Sequence, residues 1–146
     1  MWTANRKFTT GSMAVVFNDA DAILCVRERF RDRGAWGLPG GYLKHRETHE
    51  SNMRRELREE LKVDVPSVTF VAYYVQDLVD HFDALYTVTL DRSMTPRAGV
   101  EIQEVRWFAV DQLPPNLTPN AGRALQVMHD TLADERLASL FGGRSR

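Results

Sequence analysis

The sequence has few of the features that would place it in a specialised class. It contains one cysteine, Cys25, among 146 residues. A single thiol cannot form a disulfide within the chain or a multi-thiolate zinc site, so a reducing compartment is favoured. No uninterrupted apolar stretch approaches the roughly 18 residues of a membrane-spanning helix, and no apolar run follows Arg6 and Lys7 as in a secretory signal. We therefore expect a cytoplasmic protein without a membrane partner.

The chain also lacks an excess of charge of either sign. It has 19 Lys and Arg residues against 20 Asp and Glu residues, a formal net charge of −1, and a pI near 6.4. Proteins that hold nucleic acid by bulk electrostatics need a basic surplus spread over many phosphates. The composition therefore predicts no stable nucleic-acid partner. The charges are nevertheless unevenly distributed, because residues 27–62 contain ten Lys and Arg and seven Asp and Glu.

The sequence does contain enough apolar material for one core. Hydrophobic residues make up 43% of the chain, and no linker, repeat or low-complexity tract divides it. We therefore expect a single domain over residues 1–146. Hydropathy patterns predict strands at 13–17, 22–27, 68–75, 84–90 and 105–110, a loop over 29–41, and helices over 48–62 and 121–141. This order predicts an α/β (α+β) domain with a mixed sheet covered by helices.

The predicted helix over 48–62, for which Thr48 is a suitable N-cap, has an acidic face. Glu56 lies three residues before Glu59 and four before Glu60, so the three carboxylates converge. Like charges at this spacing destabilise a helix, and a bound cation would reverse the effect. Oxygen ligands without His or Cys favour hard ions such as Mg²⁺ or Mn²⁺. The alternative is a solvated face on which the acids pair with neighbouring arginines.

The segment that begins at Gly41 resembles the signature of the Nudix hydrolases, the MutT-like pyrophosphohydrolases. In that family a glycine, five residues, a glutamate, seven residues and then Arg-Glu-aliphatic-x-Glu-Glu-x-Gly-aliphatic form a loop, a helix and a second loop. The matching residues are Gly41, Glu47, Arg55, Glu56, Leu57, Glu59, Glu60 and Val63. Residues 36–41 and 104–108 are also similar to segments common in the family. The resemblance implies a Nudix-type α/β/α sandwich with a loop-helix-loop catalytic motif.

One position departs from this signature. Lys62 stands where the family has glycine. A lysine in the left-handed conformation that glycine adopts there would cost roughly 1–2 kcal/mol. The way in which the chain leaves the helix is therefore open.

The resemblance also implies an activity, which is hydrolysis of a nucleoside diphosphate linked to another moiety by attack of water on phosphorus. Mg²⁺ or Mn²⁺ would be held by Glu56, Glu59 and Glu60, with the Gly40 carbonyl as a further ligand, and the number of ions is open. The ion pair of Glu47 and Arg55 would orient the helix. Glu56 is the favoured general base.

Two acids in the loop before residue 105, Glu101 and Glu104, are the alternative bases. Arg27 and Arg29 precede the glycine-rich residues 36–41, which we call the glycine loop. A guanidinium in this position is suited to binding phosphate. The alternative for each arginine is a solvated side chain without a ligand. Gly41 would allow the backbone to approach the substrate.

The nucleotide substrate itself is open. The chain has no proline between Pro66 and Pro96, which weakens ADP-ribose and dinucleoside polyphosphates as candidates. Oxidised nucleoside triphosphates, nucleotide sugars and CDP-alcohols remain. A competing function is a Nudix-like module that senses a nucleotide or nucleotide sugar without turnover. Loss of a helix glutamate would favour that function, and here all three are present. Homodimerisation, through a sheet edge or the helix predicted at 121–141, is also open.

Overall fold

The computed structural model describes residues 5–31, 34–76 and 79–131. Its elements in chain order are β1 (Thr9–Phe17), β2 (Ile23–Glu28), β3 (Gly40–Tyr42), α1 (His49–Leu61), β4 (Thr69–Val75), β5 (His81–Thr89), β6 (Ile102–Phe108), a 3₁₀ turn (Val110–Gln112) and α2 (Pro119–Thr131). None of the helices in these ranges has the length and hydropathy needed to cross a membrane.

The strands form one mixed sheet in the order β4-β5-β1-β2-β6, with β3 paired to β1. β1 runs parallel to β5, whereas the other pairs are antiparallel. Because side chains alternate along a strand, the sheet has an apolar core on each face. Met53, Leu57 and Leu61 of α1 lie in one core, and Ala124, Leu125 and Met128 of α2 lie in the other. The predicted sandwich of helices around a mixed sheet is confirmed.

Helix α1 begins where its sequence predicts. The Thr48 hydroxyl oxygen accepts the Ser51 backbone N–H at 3.1 Å, and the Ser51 hydroxyl oxygen accepts the Thr48 N–H at 2.9 Å. This capping box satisfies N–H groups that have no partner inside the helix. Thr48 is therefore the N-cap, and the first residue of the helix is fixed by local contacts.

The C-terminal end of α1 resolves the question of the chain's exit. Lys62 adopts φ 57° and ψ 34°, the left-handed conformation that suits glycine. The backbone N–H of Lys62 donates to the carbonyl of Arg58 at 3.1 Å, the bond of the left-handed (αL) C-cap motif. Two later amides, of Arg97 and Gly99, donate to the last helical carbonyls. The chain therefore leaves α1 through the left-handed conformation that the family's glycine would adopt, and Lys62 takes up this conformation although lysine disfavours it.

The structure corrects the predicted boundaries of four elements. The loop predicted over 29–41 is wrong at its end, because Gly40 and Gly41 begin β3, a strand too short to have a hydropathy period. Strands β1 and β5 begin earlier than predicted, at Thr9 and His81, and β6 spans 102–108 rather than 105–110. Of the helix predicted over 121–141, residues 132–141 lie outside the described residues.

Replacing Lys62 by glycine should stabilise the protein. Lys62→Gly removes the left-handed strain, and part of this gain is offset by the greater entropy of glycine in the unfolded chain. We expect the free energy of unfolding in urea to rise by about 0.5–1 kcal/mol. Lys62→Ala is the matched control, because it removes the same side chain and keeps the strain. Equal stability of the two variants would contradict the strain argument.

Candidate active site

Helix α1 presents two acidic side chains toward the glycine loop, one turn apart. Glu60 is 7% exposed and the Glu56 side chain 12% exposed. The Gly40 backbone N–H donates to Glu60 Oε1 at 3.3 Å, whereas Glu60 Oε2 is buried and has no hydrogen-bond partner among the described residues. Burial, and then the adjacent Glu56 carboxylate, raises the pKa of Glu60 well above its ordinary value. Burial also raises the pKa of Glu56.

Strand β3 brings backbone against these carboxylates. In its pairing with β1, Gly41 lies opposite Ser12 and Gly40 opposite Met13. A Cβ atom at Gly41 would overlap the Glu56 carboxylate, and one at Gly40 would overlap the Ser12 carbonyl oxygen. Glycine is therefore needed at both positions because of the close approach.

An ion pair connects the loop before α1 to the helix. Arg55 Nε lies 2.7 Å from Glu47 Oε2, and Arg55 Nη2 lies 3.0 Å from Glu47 Oε1. The guanidinium lowers the pKa of Glu47 to about 2, and Glu47 in turn raises the pKa of Arg55. Arg55 Nη1 also lies 3.0 Å from an oxygen of both Glu56 and Glu59. The predicted pair is thus formed, and its role in orienting the helix stays a prediction.

The third helix acid, Glu59, lies apart from the other two. Its side chain is 52% exposed and pairs with Arg55 and, at 3.9 Å, with Lys44 Nζ. Within the described ranges, no three Asp, Glu, His or Cys side chains converge closely enough to hold a metal ion as they stand. Of the predicted ligands, the structure brings together Glu56, Glu60 and the Gly40 backbone.

The two arginines predicted to bind phosphate have protein partners. Arg27 forms an ion pair with Glu104, and its guanidinium carbon lies 4.9 Å from the ring centre of Trp36. Arg29 Nε donates to a backbone carbonyl in the loop before β6 at 3.2 Å. Glu104 also pairs with Arg106. Contact of either arginine with a phosphate would therefore require an exchange of partners.

Of the two loop acids, Glu101 lies beside the helix carboxylates. Together with Lys62, Glu101 lines a cleft of about 210 Å³ whose other wall includes Glu59 and Glu60. Glu104 lies on β6, between two arginines. The geometry therefore favours Glu101 over Glu104 as the alternative general base, and both assignments stay predictions.

Sequence reasoning missed a polar cavity of about 120 Å³ that opens beside the glycine loop. Its lining includes Gly40, Gly41, Glu28, Gln76, Asp83 and Asn120. Glu28 is the last residue of β2 and follows Arg27, and the alternation of side chains along a strand is the one sequence signal that points to it. The other polar residues come from distant parts of the chain, so no local pattern connects them.

A buried carboxylate, Asp83, organises the hydrogen bonds of this cavity. His81 Nε2 lies 2.9 Å from its Oδ1, and Gln76 Nε2 donates to its Oδ2 at 3.0 Å. The Asn120 amide and the Tyr74 hydroxyl each donate to Oδ2 at 3.3 Å. Burial and the neighbouring Asp83 raise the pKa of Tyr74. The cavity wall is therefore a preorganised polar surface.

Comparison with known proteins identifies the family, since the family model described as the NUDIX domain matches residues 7–129. The chain belongs to the Nudix family. It is 25% identical over 118 residues to a Bacillus subtilis (strain 168) protein provisionally named an 8-oxo-dGTP diphosphatase, which covers 81% of this chain and 78% of that protein. It is 30% identical over 107 residues to the NAD-capped RNA hydrolase NudC of Stutzerimonas stutzeri, which covers 70% of this chain and 37% of that protein.

Solved structures share this Nudix fold. A MutT NUDIX hydrolase from Burkholderia pseudomallei superposes with a TM-score of 0.71 at 27% identity, covering 83% of this chain and 98% of that chain. An ADP-ribose pyrophosphatase from Streptococcus suis gives 0.69 at 25% identity, with 96% and 95% covered. The NUDIX domain of Shewanella oneidensis NrtR, complexed with ADP ribose, gives 0.71 at 21% identity with 88% and 91% covered, which shows the fold alone. The findings identify a Nudix hydrolase.

The residues around Glu60 fit the divalent cation that Nudix hydrolases generally use. The available donors are oxygen atoms, one of which, Glu60 Oε2, is buried without a partner. A hard cation between Glu56 and Glu60 would satisfy that oxygen and remove the repulsion between the carboxylates. These two residues would therefore hold the ion, and Glu59 would join them after leaving Arg55.

Replacing Glu47 by glutamine should expose a pH-dependent contribution to stability. The folded-state pKa of Glu47, about 2, lies below its ordinary value of 4.5. The ion pair therefore stabilises the protein above that ordinary pKa, and the stabilisation is lost as the pH falls toward 2. In urea titrations at pH 7, we expect Glu47→Gln to lower the free energy of unfolding by about 1–3 kcal/mol. The difference between wild type and variant should become smaller below pH 5.

The control is Glu50→Gln, because the side chain of Glu50 is 58% exposed and its pair with Arg54 is a surface one. That substitution should change stability by less than about 0.5 kcal/mol. A Glu47→Gln gap that stays constant between pH 7 and pH 2 would contradict the assignment.

Replacing Glu60 by glutamine should stabilise the metal-free Nudix protein. The folded-state pKa of Glu60 is raised, so the wild type loses stability as the pH rises from 4.5 toward that raised value. We expect Glu60→Gln in EDTA to unfold at higher urea concentrations at pH 8, by about 1–2 kcal/mol, with no advantage near pH 4. Added Mg²⁺ should stabilise the wild type and not the variant. A variant less stable than wild type in EDTA at pH 8 would refute the paired-carboxylate interpretation.

Proposed function

We propose that this chain is a divalent-metal-dependent Nudix hydrolase that cleaves a phosphoanhydride bond in a nucleoside diphosphate linked to another moiety. The observation that supports this proposal is the pair Glu56 and Glu60, buried beneath the Gly40–Gly41 backbone with one carboxylate oxygen unpartnered. A surface ion-pair network would leave neither glutamate in this state. We take Mg²⁺ or Mn²⁺ as the ion because the donors are oxygen atoms.

When bound, the cation neutralises phosphate charge and lowers the pKa of the attacking water. Residues of the chain determine where the cation would bind. Glu56 and Glu60 hold the ion, and their place on one helix fixes the distance between them. The glycine loop lets the diphosphate lie close to backbone, and Arg55 keeps Glu47 and α1 in register with that loop.

Glu56 is our choice of general base. Its carboxylate lies one helical turn from Glu60 and beneath Gly41, which would place it beside the ion and the water that the ion activates. Glu101 is the second choice, because it lines the cleft on the other side of Glu59 and Glu60. Glu104 is the third, since two arginines already hold its carboxylate.

The cavity beside Gly40 and Gly41 is where we place the part of the nucleoside next to the diphosphate, because its volume of about 120 Å³ is too small for a whole nucleoside. It adjoins the carboxylate pair, and the hydrogen-bonded wall around Asp83 offers polar groups in fixed orientations. The relatives are named for 8-oxo-dGTP, NAD-capped RNA and ADP-ribose, and all three contain a nucleoside 5′-diphosphate. Because the chain spans only 37% of that NudC relative, its substrate is proposed at the level of this shared group.

The sensing alternative is less well supported by the geometry. A module that binds without turnover has no need of a buried, mutually repelling carboxylate pair, whose cost to stability is recovered by holding a catalytic ion. Residues 1–146 acting as one domain and a cytoplasmic location stay predictions.

The function is tested with a panel of 8-oxo-dGTP, NAD and ADP-ribose, with products identified by mass spectrometry. We expect Mg²⁺-dependent release of a nucleotide or phosphate product from at least one compound. Glu56→Gln and Glu60→Gln should each lower kcat by about 10²–10⁴-fold, because each removes a charge next to the reacting phosphate.

The matched control is Glu50→Gln, on the same helix and away from the glycine loop, which should leave kcat within about twofold of wild type. Equal turnover with Mg²⁺ and with EDTA would refute the metal mechanism. Tight nucleotide binding by calorimetry without any product would support the sensing module instead.

A further inference from the structure

Lys62 is a strained residue at the C-terminal end of α1. Its φ of 57° lies in the left-handed region, where a residue with a Cβ atom is strained and glycine is not. Two other non-glycine residues of the described ranges, Asp21 and Arg46, also have positive φ. Neither of them lines the polar cavity or the cleft beside the carboxylate pair, whereas Lys62 lines the cleft. Strained residues cluster at functional sites, so we looked for a function of this side chain in the cleft.

The cleft of about 210 Å³ is lined by charged groups that do not neutralise one another. Lys62 lines it together with Glu59, Glu60, Val100 and Glu101. Within the described residues, the side chains of Lys62 and Glu101 form no ion pair, and Glu60 Oε2 has no hydrogen-bond partner. The cleft therefore suits a ligand with charges of both signs, such as a phosphate together with its bound cation.

Glu60 lies between this cleft and the polar cavity beside the glycine loop. Glu60 lines the cleft, and its Oε1 accepts the backbone N–H of Gly40, which lines the cavity. The nucleoside end of a substrate is placed at the cavity in the proposed function, and the diphosphate at the pair of Glu56 and Glu60. The far end of the substrate would then lie in the cleft.

We propose that Lys62 binds a phosphate at the far end of the substrate and so selects nucleoside triphosphates over compounds that end in a neutral sugar. The ammonium group of lysine is a compact charge that is well suited to phosphate. Without Lys62, the charged side chains that line the cleft would all be carboxylates, which repel an anion. This inference rests on the proposed function, because it assigns the substrate class of the same site.

Other basic side chains near the site are already engaged. Arg27 forms an ion pair on β6, and Arg29 Nε donates to a backbone carbonyl at 3.2 Å. Lys44 Nζ lies 3.9 Å from a carboxylate oxygen of Glu59. In contrast, Lys62 can bind a phosphate without giving up an ion pair within the described residues.

The test measures binding by isothermal titration calorimetry in Mg²⁺. The ligands are the α,β-methylene analogues of a nucleoside triphosphate and of the nucleoside diphosphate-ribose, each prepared with adenosine and with guanosine. The two members of a pair differ only at the far end. We expect wild type to bind the triphosphate more tightly than the diphosphate-ribose of the same nucleoside. Lys62→Met should raise the Kd of the triphosphate by about tenfold and change that of the diphosphate-ribose by less than about twofold.

Three further variants separate the charge of Lys62 from the strain of its backbone. Lys62→Arg keeps the charge and should keep the preference for the triphosphate. Lys62→Gly removes both charge and strain, so it should bind the triphosphate as weakly as Lys62→Met although it is more stable than wild type. Lys7→Met is the matched control, because Lys7 is exposed and lines neither the cavity nor the cleft, and its affinities should equal those of wild type.

Three results would overturn the proposal. The first is a wild type that binds neither triphosphate more tightly than the matching diphosphate-ribose. The second is a Lys62→Gly variant that binds the triphosphate as tightly as wild type. The third is an equal loss of affinity for both members of a pair in Lys62→Met, which indicates a general defect of the site.

The same variants distinguish this inference from the proposed hydrolysis. Triphosphate binding that depends on Lys62, without a product from any compound of the panel, would support the binding role and contradict the hydrolysis. Mg²⁺-dependent hydrolysis of a triphosphate with the same KM in wild type and Lys62→Met would support the hydrolysis and overturn the role of Lys62.

Discussion

The repulsion between the carboxylates of Glu56 and Glu60 is the constraint on which the site depends. Both side chains are largely buried, so solvent screens the repulsion between their charges only weakly. The helix holds them one turn apart, and Gly41 closes the space above Glu56 with backbone. A cation between the two carboxylates would remove this repulsion. The metal requirement that we propose is thus a consequence of packing as well as of residue type.

Arg55, at the centre of the site, contacts some of the nearby glutamates and not others. Arg55 contacts Glu47, Glu59 and one oxygen of Glu56, while Glu60 receives a single backbone N–H. Arg55 therefore neutralises the acids that connect the loop to α1. The negative charge of Glu60 has no basic partner among the described residues and is left for the ion. The net charge of −1 hides this division, because a sum over the chain does not show which acids have a basic partner and which do not. An almost neutral chain can therefore hold a highly charged small substrate.

The mixed sheet positions the candidate site. Its central strand, β1, pairs with β3 and so positions the glycine loop against α1. The polar cavity around Asp83 lies beside that loop, with residues from β5 and α2.

The sequence alone determined the features that depend on neighbours in the chain. The start of α1 at Thr48 and the common face of Glu56 and Glu60 follow from local spacing, whereas the ion pair of Glu47 with Arg55 was implied by the family resemblance. The tertiary structure decided what depends on distant partners. It paired Arg27 with Glu104, made a strand of Gly40–Tyr42, and gathered the residues around Asp83. Helical periodicity and capping act over a few residues and are legible in a sequence, whereas strand pairing and buried hydrogen bonds join residues far apart in the chain and exist only once the sheet has formed.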